Sequence, residues 1–264
     1  MMGQFRGFVS ARYDRLHYYK GDDSMQCYGR TVVGASGVNA DSLYVSQDNK
    51  VFAVADGASG AYDKVAAGRI CTDSVQKNLY NSNMGKPADY IIKCIKEANE
   101  GLTEKSKTDG RLSFGTLTVA IIHEGLLTVG AVGDTPAFLI RGDKIIRAIK
   151  SKRRYARLIE FGVLTEEEIE RIISSIPNVM WSQFDNFLPM IIPDIAIAEY
   201  EVSEDDILII CTDGISDCIE NDEYVHILRS SKSLESACNT LFTLVEDRCP
   251  ENNLDDRTII IARL

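Results

Sequence analysis

Apolar and polar residues follow two rhythms along this chain, and the changes of rhythm mark its elements. In "DSLYVSQDNKVFAVADG" two apolar runs flank Gln-Asp-Asn-Lys, which predicts two strands around a turn. Ala67, Cys71, Val75 and Leu79 then recur every four residues with Ile70 on the same face, which predicts a helix. "ADYIIKCIKEANEGL" repeats that stripe with Ile91, Ile95, Ala98 and Leu102. "FGTLTVAIIHEGLLTVGAVGDTPAFLIRGDKIIRAI" contains strand runs separated by His-Glu-Gly, by Gly-Asp and by Arg-Gly-Asp-Lys. These separators are too short for crossover helices, so an antiparallel meander is expected.

Further along, "LTEEEIERII" predicts a helix with Thr165 as N-cap and Glu168 as its capping-box partner. "SSIPNVMWSQFDNFLPMIIPD" has prolines and no sustained period, and is expected to be an irregular, flap-like excursion. "EDDILIICTDG" predicts a strand ending in Asp-Gly. "LESACNTLFTLVED" predicts a helix on Leu234, Cys238, Leu241 and Val245, and "DDRTIIIARL" a final strand. Helices grouped on either side of clustered antiparallel strands favour an α+β fold, with helices packed outside a sheet or sandwich. Residues 1–25 have no clear period and are expected to form an N-terminal extension ahead of a single domain over residues 26–264.

Composition narrows the function. The chain has 264 residues and a formal net charge of −10, so phosphate-binding affinity of the nucleic-acid kind is not expected. The basic run "KIIRAIKSKRRYAR" is expected to be a solvated face. Seven cysteines without a C-x-x-C argue against a disulfide framework and a zinc cluster; Cys71, Cys94 and Cys238 fall on apolar helix faces and Cys211 in an apolar strand. No run is apolar enough for a signal peptide or a bilayer span, so the expectation is a cytoplasmic protein without membrane contact.

Candidate chemistry lies at the strand ends. Asp56-Gly57 alone reads as a hairpin turn, since both residues tolerate positive φ. It has company, however. Asp213-Gly214 ends a second apolar strand, Asp134 a third, Asp255 and Asp256 open a fourth, and Asp41 opens a fifth. Carboxylates gathered at one rim raise each other's pKa unless a cation neutralises them. Oxygen ligands without His or Cys select Mg²⁺ or Mn²⁺. His17, His123 and His226 lie outside these motifs.

The order of these motifs resembles the type-2C, metal-dependent Ser/Thr protein phosphatases, including bacterial and SpoIIE-like members. The residues that carry the resemblance are Asn39-Ala40-Asp41-Ser42, Asp56-Gly57-Ala58-Ser59-Gly60, Gly115-Thr116-Leu117-Thr118, Gly133-Asp134-Thr135, Thr212-Asp213-Gly214 and Asp255-Asp256-Arg257-Thr258. The match covers residues 28–264. It implies a four-layer α-β-β-α sandwich of two antiparallel sheets, with a two-metal centre of Mg²⁺ or Mn²⁺ at one end. It further implies that Asp56 bridges both ions, the Gly57 carbonyl helps hold one, Asp213 and Asp255 ligate the other, and Asp134 serves a looser third. Asp41 would sit at or just behind the ions. The implied reaction is attack of a metal-bridging hydroxide on a phosphoserine or phosphothreonine of a protein, the target of a cognate kinase, by a monomeric enzyme without a covalent phosphoenzyme.

Four departures from the family pattern stand out. Ala40 replaces an acid, Ser36 an arginine that binds phosphate, Asp256 an asparagine, and Ala58 a histidine that bacterial members commonly lack. Two rival expectations follow: a pseudophosphatase serving as a regulatory binding module, and a hydrolase of small phosphoesters. Thr116 and Thr118 are expected to serve backbone hydrogen bonding.

Overall fold

The computed structural model describes residues 15–20, 25–48, 50–59, 64–81, 85–110, 113–149, 165, 195–250 and 254–264. The predicted helix after Thr165 and the flap-like excursion lie outside them. Strands β1 (Arg15–Lys20), β2 (Gln26–Val32), β9 (Ala137–Arg141), β10 (Lys144–Arg147), β12 (Ile207–Cys211) and β13 (Arg257–Arg263) form a six-stranded sheet. Its order is β1-β2-β13-β12-β9-β10. Strands β3 (Ser42–Val45), β4 (Val51–Ala55), β7 (Leu117–His123), β8 (Leu126–Val132) and β11 (Ala196–Glu201) form a second, in the order β11-β8-β7-β4-β3. Every pairing is antiparallel. A small ribbon pairs β5 (Gly57–Ser59) with β6 (Ser113–Gly115).

The central strands read as unbroken apolar runs because both faces are covered. In β12, Ile207, Ile209 and Cys211 point one way and Leu208 and Ile210 the other. The first set packs on helices α4 (Asn221–Ser230) and α5 (Leu234–Arg248), through Tyr224, Leu241, Phe242 and Val245. The second meets Phe52, Val54, Leu127 and Val129 of the facing sheet. On that sheet's outer side, Val51, Ala53, Val119 and Ile121 pack on helices α1 (Lys64–Asn81) and α2 (Pro87–Asp109), through Cys71, Val75, Ile91 and Ile95. Three apolar interfaces therefore separate four layers, helix-sheet-sheet-helix, as expected. The predicted helical stripes are the buried ones, and Cys71, Cys94, Cys211 and Cys238 are buried.

Three local expectations change. The predicted meander is broken: β7–β8 is a hairpin of one sheet and β9–β10 a hairpin of the other. The chain crosses between sheets at Gly133, whose φ of 90° suits glycine. There Thr118 Oγ1 donates to the Thr135 carbonyl at 2.6 Å, which pins the crossing. Second, β11 extends the sheet along β8 where no strand was predicted; its residues are mostly half-buried, so its alternation is muted. Third, residues 15–20, inside the expected extension, form an edge strand on β2.

Candidate metal centre

All five candidate acids sit at ends of strands from the two sheets, where the sheets face each other. Neither Asp-Gly dipeptide is a hairpin turn. Asp56 links β4 directly to β5, and its backbone is clamped to Thr116: the Asp56 N–H donates to Thr116 Oγ1 at 3.1 Å, and the Thr116 N–H donates to the Asp56 carbonyl at 2.8 Å. Asp213 opens a short helix, α3 (Asp213–Ser216), with Thr212 in the N-cap position. Both glycines are needed for close approach. A Cβ on Gly57 would lie 2.3 Å from the Gly68 nitrogen and 2.5 Å from the Ala40 carbonyl oxygen, and one on Gly214 would lie 2.1 Å from the Asp256 carbonyl oxygen.

Threonines tie the acids together. Thr116 and Thr135 share a hydroxyl–hydroxyl bond, which joins the Asp56 segment to the Asp134 segment. Thr212 Oγ1 donates to Asp41 Oδ2 at 2.8 Å and accepts the Thr258 N–H at 3.0 Å. Thr258 and Thr31 hydroxyls lie 2.6 Å apart, and Asn39 Nδ2 donates to Thr31 Oγ1 at 2.8 Å. Asn39 Oδ1 in turn accepts the Asp41 N–H at 3.0 Å. This chain crosses from the start of β3 in one sheet to β12, β13 and β2 in the other. Thr116 and Thr118 serve hydrogen bonding, as expected.

Electrostatics mark the same place. The Asp56 carboxyl is held well above the usual carboxylate range, first by burial and then by the charges of Asp41, Asp213, Asp255 and Asp134. Burial pushes Asp41 up to about 8; hydrogen bonds from Thr258 and Thr212 oppose the shift, while Asp256 and Asp213 add to it. Asp213 is pushed up to about 7 by burial, then by Asp255, Asp134 and Asp217. Asp134 is half-buried and Asp255 exposed, so the cluster has a buried side and an open side. Among the described residues, no three His, Cys, Asp or Glu side chains are yet gathered into a set that could hold an ion. The donor chemistry nevertheless fits one. All the acids offer oxygen, and the charges that act on Asp56 are those of other carboxylates, which a hard divalent cation would relieve.

Two departures from the family pattern meet in space. Buried Asp256 accepts the Gly34 N–H and the Ala40 N–H, each at 2.7 Å. A carboxylate accepts both with its two oxygens, whereas an amide has one acceptor oxygen. Asp256 thus braces residues 34–40, a role the sequence reading missed together with those of Thr212, Thr258, Thr31 and Thr135. The available signal was a threonine beside or near an acid in three of the six motifs, at Asp134-Thr135, Thr212-Asp213 and Asp256-Arg257-Thr258. Ser36 bonds locally, donating to the Val38 carbonyl at 2.9 Å and accepting the Val38 N–H at 3.2 Å. Arg30 stacks over Phe242 and donates to Asn239, on the α5 side of the sheet. His123 and His226 are exposed. An open cleft of about 900 Å³ between α4 and α5 is lined by none of the candidate acids.

Two antiparallel sheets face to face, helices outside, and oxygen-bearing acids at the strand ends where the sheets meet give the architecture a candidate site for hard divalent cations. The model for protein phosphatase 2C matches residues 29–256, and the chain belongs to that family of metal-dependent protein serine/threonine phosphatases. A Streptococcus pyogenes chain, described provisionally as protein phosphatase 2C-type, is 24% identical over 247 residues, covering 88% of this chain and 95% of its own. The S. agalactiae serine/threonine phosphatase superposes with a TM-score of 0.74 at 18% identity, covering 91% of this chain and 100% of its own. The catalytic domain of the serine/threonine phosphatase PstP, solved with two manganese ions, gives 0.71 at 19% identity, covering 90% and 97%. Among the described residues, no helix is long and apolar enough to cross a membrane.

Proposed function

We propose that this enzyme hydrolyses phosphoserine and phosphothreonine in proteins, with Asp56, Asp213 and Asp255 and the Gly57 carbonyl holding two Mg²⁺ or Mn²⁺ ions. Asp134 would serve a third, looser ion. The observation that carries this reading is the half-buried Asp56 carboxyl, raised by desolvation and by the charges of four other aspartates at neighbouring strand ends. Bound divalent ions supply a water acidified for attack and neutralise charge developing on the phosphoryl oxygens.

The chain's own residues prepare that chemistry. The Thr116 clamp fixes the Asp56 backbone, so its carboxylate stays at the seam between the sheets. The Thr212 hydroxyl holds Asp41 beside it and so couples the two sheets. Asp41 acts as a positioning residue, oriented by Thr212 and Asn39 through side chain and backbone respectively. The Asp256 brace keeps residues 34–40 at the rim, with Ser36 exposed where the phosphoprotein approaches. No observation of the fold or of the relatives favours the regulatory-module reading.

The test is hydrolysis of an aryl phosphate and of a phosphothreonine peptide with Mn²⁺, Mg²⁺ or chelator. Turnover should require metal, and Asp56→Asn should remove it. Metal-independent turnover, or full activity of Asp56→Asn, would overturn the assignment.

A further inference from the structure

Seven cysteines without a motif argue against disulfides, yet the fold brings two of them together. Cys218 lies just past α3, where its N–H donates to the Ile215 carbonyl at 3.2 Å; Cys249 follows α5, where its N–H donates to the Val245 carbonyl at 2.9 Å. Their sulfurs are 2.8 Å apart and both residues are half-buried, whereas the other five cysteines are buried. Contacts that do not involve sulfur hold the two backbones in place. Arg248 Nη1 donates to the Cys218 carbonyl at 2.7 Å, and the same guanidinium pairs with both Glu223 oxygens at 2.8 and 2.6 Å.

We infer that Cys218 and Cys249 form a redox modification site: a dithiol that small-molecule disulfides of the oxidised-glutathione type convert to an intramolecular disulfide. One sulfur attacks the oxidant, whose S–S bond breaks and releases a first thiol. The second cysteine then displaces the other half as a second thiol, so one bond forms, one breaks, and both protons leave on the released thiols. Burial and the neighbouring Cys249 push the Cys218 thiol up to about 12, so exchange is slow at neutral pH. Closing 2.8 Å to a bond of about 2.05 Å needs little backbone movement. The bridge therefore acts as a staple on the existing fold and does not switch the enzyme off. It ties the segment after Asp213 to the segment before Asp255, and closes a loop that contains α4 and α5.

Full-length protein treated with oxidised glutathione, then alkylated under denaturing conditions and mapped by mass spectrometry, tests the inference. The expected result is five alkylated cysteines, a Cys218–Cys249 cross-linked peptide that dithiothreitol abolishes, and a rise in Tm of about 5–10 °C. Cys218→Ser and Cys249→Ser should each prevent both the cross-link and the rise. Mn²⁺-dependent turnover should be the same before and after oxidation. Seven alkylated cysteines, a stable glutathione adduct on either residue, or a different pairing would overturn the site. A loss of turnover on oxidation in the parent but not in the variants would overturn the staple reading.

Discussion

Asp56-Gly57 and Asp213-Gly214 are the same dipeptide at the end of the same kind of strand, yet the chain does different things at each. After β4 it stays extended and pairs again as β5; after β12 it coils into α3. The dipeptide does not dictate local geometry. What the two regions share is crowding. Each glycine lets foreign backbone come within the space of a side chain: Gly68 and Ala40 at the first, Asp256 at the second. That crowding brings one acid from each sheet to a common seam. The regions differ in support: the Asp56 backbone bonds to distant Thr116, whereas the Asp213 carbonyl accepts the Asp217 N–H within its own turn, and the Thr212 before it bonds Asp41 and Thr258.

The largest expected effect breaks the symmetry of the two acids. Asp56→Asn should lower Mn²⁺-dependent kcat by about 100-fold or more, because it removes the group proposed to touch both ions. Asp213→Asn should act chiefly on metal affinity. In thermal melts, saturating Mn²⁺ should raise the parent Tm by ~5–10 °C, and Asp213→Asn should blunt that rise; an equal rise in the variant would remove Asp213 from the site.

Next come the glycines. Gly57→Ala and Gly214→Ala each drive a methyl into backbone and should cost about 1–3 kcal/mol in denaturant unfolding. Gly85→Ala, with nothing within 4 Å of its added Cβ, should be near neutral and is the control. Thr212→Val sharpens the difference in support. It strips buried Asp41 of a donor and the Thr258 N–H of an acceptor, for about 1–3 kcal/mol. Its Mn²⁺ response should weaken more than that of Thr243→Val, a control lining the distant α4–α5 cleft.

The smallest effect lies far from the seam. Arg248 holds the Glu223 carboxyl down at about 2, against an ordinary 4.5. A depressed carboxyl stabilises the fold fully above its unfolded value and ceases to do so as pH falls through its folded value. The Tm gap between parent and Glu223→Gln should therefore be widest near neutral pH and close between about pH 4.5 and 2. A gap that persists at pH 2 would assign it to packing.

Much of this was legible in the sequence because burial writes period into a chain. The helix stripes through Cys71 and Ile95, and the apolar runs through Phe52 and Ile209, each announced their layer. The break between β8 and β9 was not legible. Gly133-Asp134 suits a tight turn as well as a crossing, and the choice is made by Thr118 and Thr135, whose contact depends on folding. The acids were legible as a set through their order. The role of Asp256 was not, because its partners are N–H groups at Gly34 and Ala40, which any residue except proline could offer.

The position of β13 has a consequence for how this enzyme comes into being. Every other strand of its sheet precedes it in the chain, yet it lies in the middle, between β2 and β12. Until it inserts, the sheet is two separate pieces, and Asp255, just ahead of it, has no place to stand. A ribosome-bound or truncated chain lacking residues 255–263 thus holds neither a closed sheet nor a full set of acids. Completing the sheet and completing the set of acids are therefore a single event, set by the insertion of β13 between β2 and β12.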